Sequence, residues 1–399
     1  MVDADGDART IGRRVRQIRF ARDESLRVVA ELAGMSKSHL QRIERGERAL
    51  DRRSEIVALA NALQVAPGEL TKMPVPAPGN GDTDADVNAL RLAIQRASFG
   101  APGGHVVDVD TLQRRVHSLL AAQNRCEHES VGAALPALVA DLHASIADGR
   151  DVAQQLALAA LLHVQGTHSW LRTAGASNDL CFAAARLGRE AAQELGEPVA
   201  VATAAFGAAN GLIASGDFDL ARIELDRAAL APISPETEQL VGALAVTRSL
   251  LAAAQNQPAD EVESPIQMAA QLAARTGERN AYYLGFGPTS VGVWRMSVAL
   301  EAGDHARAAA VAEQIRPERL ANPTRQATYF TGYGRALARL RGRQDDAVVA
   351  LRRAERISPG KVQRNPFARD VIAELLARSR RDAVGRELRG MAYRAGLPV

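Results

Sequence analysis

The chain has 399 residues, 47% of them hydrophobic and 24% charged, with a formal net charge of +3 and two cysteines. This composition is that of a globular protein with room for more than one domain, and two cysteines exclude a disulfide-stapled scaffold. No run of about 18 consecutive apolar residues occurs, and the acidic start MVDADGDART lacks the basic and apolar pattern of a signal peptide. The sequence therefore predicts a cytoplasmic protein with no membrane segment.

Positive charge is concentrated near the N-terminus. Thirteen Lys and Arg stand against six Asp and Glu between residues 9 and 53, so this segment carries +7, whereas residues 54–399 carry −1. A localised basic region is what binding to nucleic-acid phosphates requires.

Two short helical patterns lie within residues 24–46, one on each side of Gly34. Ser25 and Ser36 each precede an apolar periodic run, where a short hydroxyl side chain can cap the start of a helix. Gly34 supplies the permissive backbone that a sharp turn between the helices needs. This pattern is typical of a helix-turn-helix motif, whose second helix enters the major groove of DNA.

The second of these helices carries polar side chains between its apolar positions. Helical spacing places four of them on one solvent-facing side: Lys37, Ser38, Gln41 and Arg42. Gln pairs with adenine edges and Arg or Lys with guanine, and each good bidentate contact contributes about 1–3 kcal/mol of discrimination. The alternative is a solvated face of an ordinary helix, but the caps and the turn glycine all favour the DNA-reading interpretation.

Residues 10–72 resemble the five-helix DNA-binding domain of phage repressors (Cro/cI-type, XRE-like). The resemblance rests on five segments: IGRRVRQIRFARD, SLRVVAELAG, MSKSHLQRIERG, SEIVALANALQV and PGEL. It implies that the four side chains named above read bases. It also implies a set of phosphate contacts: Ser25, Arg27, Ser36, Arg48 and Arg52. The chain departs from the family at Leu26, where many members place a Gln or Thr.

A stretch rich in Pro, Gly and Asp follows, MPVPAPGNGDTDAD at residues 73–86. It lacks apolar periodicity, and its prolines and glycines favour an extended connector. The sequence predicts a linker over residues 73–87 and a domain boundary there. An ordered loop packed on either domain is the alternative.

Residues 88–399 show apolar residues at helical spacing, interrupted by turn signals. Three segments share a pattern that begins at Gly216, Gly303 and Gly342, with an Ala five residues after each Gly (Ala221, Ala308 and Ala347). This pattern resembles the tetratricopeptide repeat, and Pro359 stands where that repeat commonly places its terminating proline. We therefore expect an all-α protein whose second domain is a tetratricopeptide-like α-solenoid of roughly eight or nine hairpins.

No catalytic or cofactor motif occurs in the sequence: it contains no phosphate-binding Gly-Lys-Ser/Thr loop, HExxH helix, GxSxG elbow or strand-linked GxGxxG. Cys126 and His128 flank Glu127, and His163 and His168 are five residues apart, but neither pair has zinc-like spacing with further ligands. The sequence predicts no enzyme, no metal and no cofactor.

Aromatic and polar residues cluster between positions 280 and 295. Six of them could line a ligand pocket or fill the core of a hairpin: Asn280, Tyr282, Tyr283, Phe286, Trp294 and Arg295. Further candidates elsewhere in the second domain are Asn210, Tyr329 and Tyr333, with Arg335, His168 and Trp170 weaker.

The layout resembles actinobacterial-type regulators with a phage-repressor head and a tetratricopeptide-like tail. In architecture alone it is also similar to peptide-pheromone receptors of Gram-positive bacteria. These resemblances imply a homodimer that binds a pseudopalindromic operator in double-stranded DNA and senses a peptide or small-molecule effector. A tail that serves as a protein-interaction scaffold with no small ligand is the alternative, and an antitoxin with the same head is a third possibility.

Overall fold

The computed structural model describes residues 10–71, 81–379 and 383–398. These residues are predominantly helical, and they form no β-strand beyond one isolated bridge between Arg279 and Phe286. Residues 10–71 are called the head below, and the described residues from 81 onward are called the tail. The predicted all-α fold, with a five-helix head and a tetratricopeptide-like helical tail, is confirmed.

The head contains five helices: α1 (Ile11–Ala21), α2 (Leu26–Leu32), α3 (Lys37–Glu44), α4 (Arg53–Ala62) and α5 (Pro67–Thr71). Hydroxyl side chains cap the first three, since Thr10, Ser25 and Ser36 accept hydrogen bonds from backbone N–H groups of the first turn. Gly34 has a φ of +66° in the turn between α2 and α3. Both capping serines and the turn glycine are therefore placed as the sequence predicted.

A compact apolar core joins the helices of the head. Val15, Val29, Leu40, Ile43 and Leu59 are all fully buried in it. Helices α1 and α3 cross so closely that a Cβ added at Gly12 would lie 2.0 Å from the carbonyl oxygen of Ile43. Only glycine fits at this crossing, which fixes the orientation of α3 relative to the rest of the head.

The tail begins with α6 (Gly81–Ser98), α7 (Val109–Asn124) and α8 (His128–Asp148), which pack together. Pairs of antiparallel helices follow. A bent first helix, α9 (Val152–Leu161) continued by a π-helix (Leu162–His168) and α10 (Ser169–Thr173), pairs with α11 (Asn178–Leu195). The next pairs are α12 (Pro198–Ser215) with α13 (Phe218–Arg227), α14 (Pro235–Ala254) with α15 (Ala259–Thr276), and α16 (Pro288–Glu301) with α17 (His305–Glu313). The last are α18 (Pro323–Leu337) with α19 (Gln344–Ile357) and, after the short α20 (Gly360–Gln363), α21 (Pro366–Ala377) with α22 (Ala383–Arg394).

The glycine and alanine pattern seen in the sequence marks the turn and the second helix of three pairs. Gly216, Gly303 and Gly342 have φ values of +85°, +79° and +77°, and each precedes the second helix of its pair. The alanines five residues later, Ala221, Ala308 and Ala347, are all fully buried. Positive φ favours glycine, and a methyl side chain lets paired helices approach closely, so both features of the pattern have a structural cause.

The described part of the tail has six helical pairs after the α6–α8 group, which is fewer than the eight or nine hairpins expected. Several helices are longer than a repeat helix requires, such as α8 with 21 residues and α14 with 20. Irregular connections between the pairs also take up residues, including single turns of 3₁₀-helix at Ala281–Tyr283 and Pro317–Arg319. A count from repeat length alone therefore overestimated the number of pairs.

Two tail helices are long and apolar enough to cross a membrane by length and composition, His128–Asp148 and Pro198–Ser215. Both pack in the tail core. Leu135 and Leu142 of the first and Ala209 of the second are fully buried.

The predicted linker falls partly on residues that the structure describes. Residues 73–80 lie outside them, whereas residues 81–87 form the first turns of α6. The second domain therefore begins with a helix earlier than the apolar pattern indicated.

The tail curls back on itself, because its first helices contact its later ones. The Thr324 hydroxyl donates to the carbonyl oxygen of Gln123 at 3.0 Å, and Arg364 Nη1 donates to the carbonyl oxygen of Ala174 at 2.7 Å. The side chains of His128 and Ser358 are joined by a 2.9 Å hydrogen bond. The tail is consequently a closed arrangement of helices instead of an open arc.

The head lies across the turns at one end of the successive tail pairs. The Gly216 turn approaches Val57 and Pro67 of the head so closely that a Cβ on Gly216 would lie 2.5 Å from Val57 Cγ2. Arg52 donates to Asn256 Oδ1 in the α14–α15 turn at 2.9 Å, and its side chain also lies beside Gly303 in the α16–α17 turn. The glycine turns that mark the repeats are thus also surfaces on which the head rests.

Buried acids of α21 hold the head by its backbone. The two carboxylate oxygens of Asp370 accept hydrogen bonds from the N–H groups of Ile11 and Leu50, each at 2.9 Å. Glu374 Oε2 accepts from the Ala49 N–H at 2.8 Å and forms an ion pair with Arg339. Burial raises the pKa of the Asp370 carboxyl to about 7, against the lowering effect of its two N–H donors. Backbone groups that are distant in the sequence of the head are therefore held together by adjacent turns of one tail helix.

Replacing Asp370 with Ala is expected to release the head from the tail. The substitution leaves two buried backbone N–H groups without acceptors, at a cost of about 1–3 kcal/mol each. Hydrogen exchange of the Ile11 and Leu50 amides should become faster, while exchange in the α14–α15 pair stays unchanged. Asp346→Ala, which removes a largely exposed carboxylate paired with Arg343, serves as the control. Unchanged exchange at both amides in Asp370→Ala would contradict the role of Asp370 in holding the head on the tail.

Candidate nucleic-acid interface

Helix α3 presents a polar face to solvent. Lys37, Ser38 and Arg42 are exposed and Gln41 is half-buried, while Leu40 and Ile43 on the opposite side are fully buried in the head core. The four residues expected to read bases therefore share the outer side of one helix. Within the described residues, none of the four forms a hydrogen bond or ion pair with the tail, so tail docking leaves this face open.

The residues expected to contact phosphate at the starts of α2 and α3 are also at the surface. The Ser25 and Ser36 hydroxyls accept from the N–H groups of Val28 and His39 at 3.1 and 3.2 Å. Arg27 is exposed and pairs with Glu31 one turn later at 2.8 Å. An exposed pair of this kind contributes little to stability, so the Arg27 guanidinium can turn to another anion.

A buried ion pair that the sequence reasoning missed orients α3. Arg19 of α1 donates through Nε and Nη2 to the two carboxylate oxygens of Glu44 at 2.7 and 2.8 Å, and through Nη1 to the Glu24 carbonyl at 2.9 Å. Both side chains of the pair are almost fully buried. A two-point contact of this geometry fixes direction as well as distance, so it ties the C-terminal end of α3 to α1. The sequence did contain a signal for this ion pair. Arg19 and Glu44 each stand four residues after an apolar core residue, Val15 and Leu40, so both charged side chains fall on the buried face of their helix.

Arg52, which was expected to contact phosphate, is engaged with the tail in this structure. Its Nε donates to the Glu301 carbonyl oxygen at 2.9 Å and its Nη2 to Asn256, so the guanidinium is used at the head–tail boundary. Arg48 is half-buried at the same boundary, where burial and the nearby Arg339 charge lower its pKa. The phosphate contacts expected of both arginines stay predictions, and the tail contacts of Arg52 give its guanidinium a different role in this structure.

The aromatic residues at 282–294 pack chiefly within the tail. Phe286 is 1% exposed and lies against Gly242, where an added Cβ would be 2.2 Å from Phe286 Cζ. The Tyr283 hydroxyl is hydrogen-bonded to His117 Nδ1 at 2.8 Å, and the Arg325 guanidinium lies over the Trp294 ring. Tyr282 is half-buried beside the same core.

Two of the three polar members of the predicted ligand set hydrogen-bond to nearby backbone groups. Asn280 Oδ1 accepts from the Gly285 N–H at 2.8 Å, and Asn210 Nδ2 donates to the Phe206 carbonyl. Arg295 is half-buried on α16. These side chains mostly support local backbone, which favours a structural interpretation of the cluster.

Tyr329 and Tyr333 belong to a different part of the core. The Tyr329 hydroxyl donates to the Ala312 carbonyl oxygen at 3.1 Å, and its side chain is buried. Tyr333 donates to Glu313 at 3.2 Å near the surface. The structure does not bring these two tyrosines into one pocket with the residues at 280–295.

The histidines and cysteines of the tail do not assemble a metal site among the described residues. His143 and His163 share a 2.8 Å hydrogen bond between their Nε2 atoms, and burial lowers the pKa of both. Cys181 is buried and Cys126 is partly exposed. Both are free thiols.

Comparison with known proteins supports the DNA-binding head. No curated protein matches the chain. A solved structure, PlcR of Bacillus thuringiensis in complex with the peptide PapR7 and DNA, is similar at 14% identity with a TM-score of 0.26, covering 67% of this chain and 95% of that one. Residues 10–72 match the family described as a helix-turn-helix domain, the same range as the predicted head. The chain thus carries an N-terminal helix-turn-helix DNA-binding domain, and this supports a DNA-binding transcriptional regulator.

Proposed function

We propose that the protein is a cytoplasmic, non-enzymatic transcriptional regulator that reads a specific DNA sequence with α3 and whose tail controls when it does so. The observation that carries this proposal is the orientation of the head. Its base-reading face is open to solvent, while its opposite side is held by the tail. A head docked in this way can bind DNA without separating from the tail.

In this proposal Lys37, Ser38, Gln41 and Arg42 contact base edges in the major groove. Ser25, Arg27 and Ser36 contact the backbone on either side of the groove, with Arg48 at the edge of the set. Their exposure at the starts of α2 and α3 supports the assignment, because helix N-termini favour phosphate. Arg52 holds the head on the tail instead.

We further propose that the tail dimerises and places two heads about one helical turn of DNA apart, ~34–36 Å, over a pseudopalindromic operator. The contacts between head and tail support the part of this proposal in which the tail sets the position of each head. Backbone groups at Ile11, Ala49 and Leu50 are fixed to α21, so a change in the tail changes the direction of α3. A peptide or small-molecule signal would act by binding one arrangement of the heads better than the other.

Replacing Gln41 and Arg42 together with Ala is expected to remove discrimination between the operator and random DNA. Each lost base contact costs about 1–3 kcal/mol, so the affinity ratio should fall by roughly 30-fold or more. Binding to both DNAs is measured by fluorescence anisotropy at one salt concentration. Arg222→Ala, which removes an exposed tail arginine paired with Asp219, should leave the ratio unchanged. An unchanged ratio in the double variant would refute the base-reading role of α3.

Arg27→Ala and Arg52→Ala are expected to differ in salt dependence. Arg27→Ala should weaken binding to every DNA sequence and reduce the slope of log affinity against log salt by about 1, as the loss of one phosphate contact does. Arg52→Ala should leave that slope unchanged. It should instead speed hydrogen exchange at the head–tail boundary, because the contacts to Glu301 and Asn256 are lost. A reduced salt slope in Arg52→Ala would restore its phosphate role.

A further inference from the structure

A cavity of about 420 Å³ lies at the seam of the tail, where α20 meets the early helices α8 and α10. Its walls are the start of α6, residues 126–130 before and within the first turn of α8, the end of α10, and α20 with its flanking residues. Volumes of about 300–1,000 Å³ are usual for small-molecule sites. The cavity is therefore large enough for a small molecule, and an occupant would touch both sides of the seam.

A free thiol forms part of the cavity wall. Cys126 lies in the turn between α7 and α8, is partly exposed and lines the cavity. The other cysteine, Cys181, is 5% exposed and lies outside the lining, and burial raises the pKa of its thiol to about 11. Thiols react as thiolates and only where a reagent can reach them, so a reagent in the cavity meets Cys126 and not Cys181.

The Cys126 thiol also helps to close the tail. Its Sγ lies 3.4 Å from Thr324 Oγ1, in the first turn of α18. The Thr324 hydroxyl directs its own hydrogen at the carbonyl oxygens of Gln123 and Asn124, at 3.0 and 3.3 Å. The thiol is therefore the donor to Thr324, and a Cys126 without its hydrogen loses this contact across the seam.

A buried guanidinium on the late side of the cavity has one nitrogen without a partner. The Arg364 side chain is 8% exposed and lines the cavity. Its Nη1 donates to the carbonyl oxygen of Ala174 at 2.7 Å and to Asp84 Oδ1 at 2.9 Å, whereas its Nη2 has no hydrogen-bond partner among the described residues. A buried donor without an acceptor is costly, and a carboxylate in the cavity would supply the acceptor.

The start of α8 provides further donors. Residues 127–130 line the cavity, and the N-cap residue Glu127 makes no side-chain capping hydrogen bond in the described part of the chain. The first N–H groups of a helix have no partner within the helix, and a helix N-terminus attracts negative charge. A carboxylate in the cavity would thus meet backbone donors as well as Arg364.

The cavity wall also contains acidic side chains. Glu127 accepts from Arg125 at 2.6 and 3.2 Å, whereas Glu129 is exposed. A ligand with carboxylates alone would be repelled by Glu129, but a ligand that also carries an ammonium group can pair with it. The lining therefore suits a molecule with charges of both signs, such as an amino acid or its derivative.

We propose that Cys126 forms a mixed disulfide with a small amino-acid-derived disulfide that occupies this cavity. The Cys126 sulfur attacks one sulfur of the disulfide, so that a new S–S bond joins Cys126 to one half while the original S–S bond breaks. The other half leaves as a thiol and takes up the proton that Cys126 releases. Cys126 is thereby oxidised and the leaving half is reduced.

The modification reaches the head through α18. Loss of the thiol hydrogen frees the start of α18 at Thr324. Near its other end, Arg335 donates to the Asp51 carbonyl oxygen of the head at 2.9 Å, and Arg339, just beyond the helix, donates to the Ala49 carbonyl oxygen at 2.8 Å. A shift of α18 therefore changes contacts that hold the head. This consequence rests on the proposed function, in which the tail controls the head, and it makes the thiol–disulfide balance of the cell the signal.

The test treats folded, full-length protein without DNA with oxidised glutathione, and mass spectrometry of peptides identifies the modified cysteine. Cys126 should be modified at least about tenfold faster than Cys181, because only Cys126 is accessible, and dithiothreitol should reverse the reaction. Hydrogen exchange in the modified protein should become faster in the first turn of α18 and at the Ala49 and Leu50 amides.

Two variants serve as controls. Cys126→Ser keeps a hydroxyl donor for Thr324, and oxidised glutathione should neither modify it at residue 126 nor change its exchange at the seam. Arg364→Gln should lower the equilibrium constant for the mixed disulfide with glutathione by about tenfold, the usual effect of losing a charge-assisted hydrogen bond. The uncharged hydroxyethyl disulfide should give the same equilibrium constant in Arg364→Gln as in the wild type.

Absence of an adduct at Cys126, or an equal rate at Cys181, would overturn the modification site. Unchanged exchange at α18 and at Ala49 in the modified protein would overturn the coupling to the head. An equal effect of Arg364→Gln on both disulfides would overturn the carboxylate contact. Because the measurements contain no DNA, the base-reading role of α3 is tested separately by Gln41→Ala/Arg42→Ala.

Discussion

The hydrogen bonds from Ile11 and Leu50 to the two oxygens of Asp370 are the constraint on which the structure depends. One carboxylate holds the first residue of α1 and the loop before α4, which are distant in sequence and adjacent in space. Buried backbone N–H groups require acceptors, so the head cannot leave this position without a substantial cost. The direction of α3 is therefore set by α21 of the tail.

The repeat architecture makes this docking possible. Glycine turns join the two helices of successive tail pairs, and the head packs against two of these turns, at Gly216 and Gly303. Closure of the superhelix places α20 against α10, since Gly360 lies against the Thr173 carbonyl oxygen. The same succession of helical pairs thus closes the tail and supports the head.

Local signals were enough to predict much of this fold. The capping serines, Gly34 and the alternation of apolar and polar residues on α3 act within a few residues of each other, and the structure confirms their placement. Long-range partners left no such signal. Arg52 resembles a phosphate contact until Glu301 and Asn256, some 200 residues away or more, are seen beside it. The aromatic cluster was ambiguous because a pocket and a core require the same residue types, and only packing against Gly242 shows that Phe286 fills the core.

The central claim is that the tail holds the head in one orientation. Spin labels on Leu32→Cys in the head and Val349→Cys in the tail, in a Cys126→Ser/Cys181→Ala background, would measure it directly, since Leu32 and Val349 are exposed at 66% and 65%. Electron–electron double resonance should give one narrow distance distribution for the protein free of DNA. A broad distribution, such as a head on a flexible tether produces, would contradict the account.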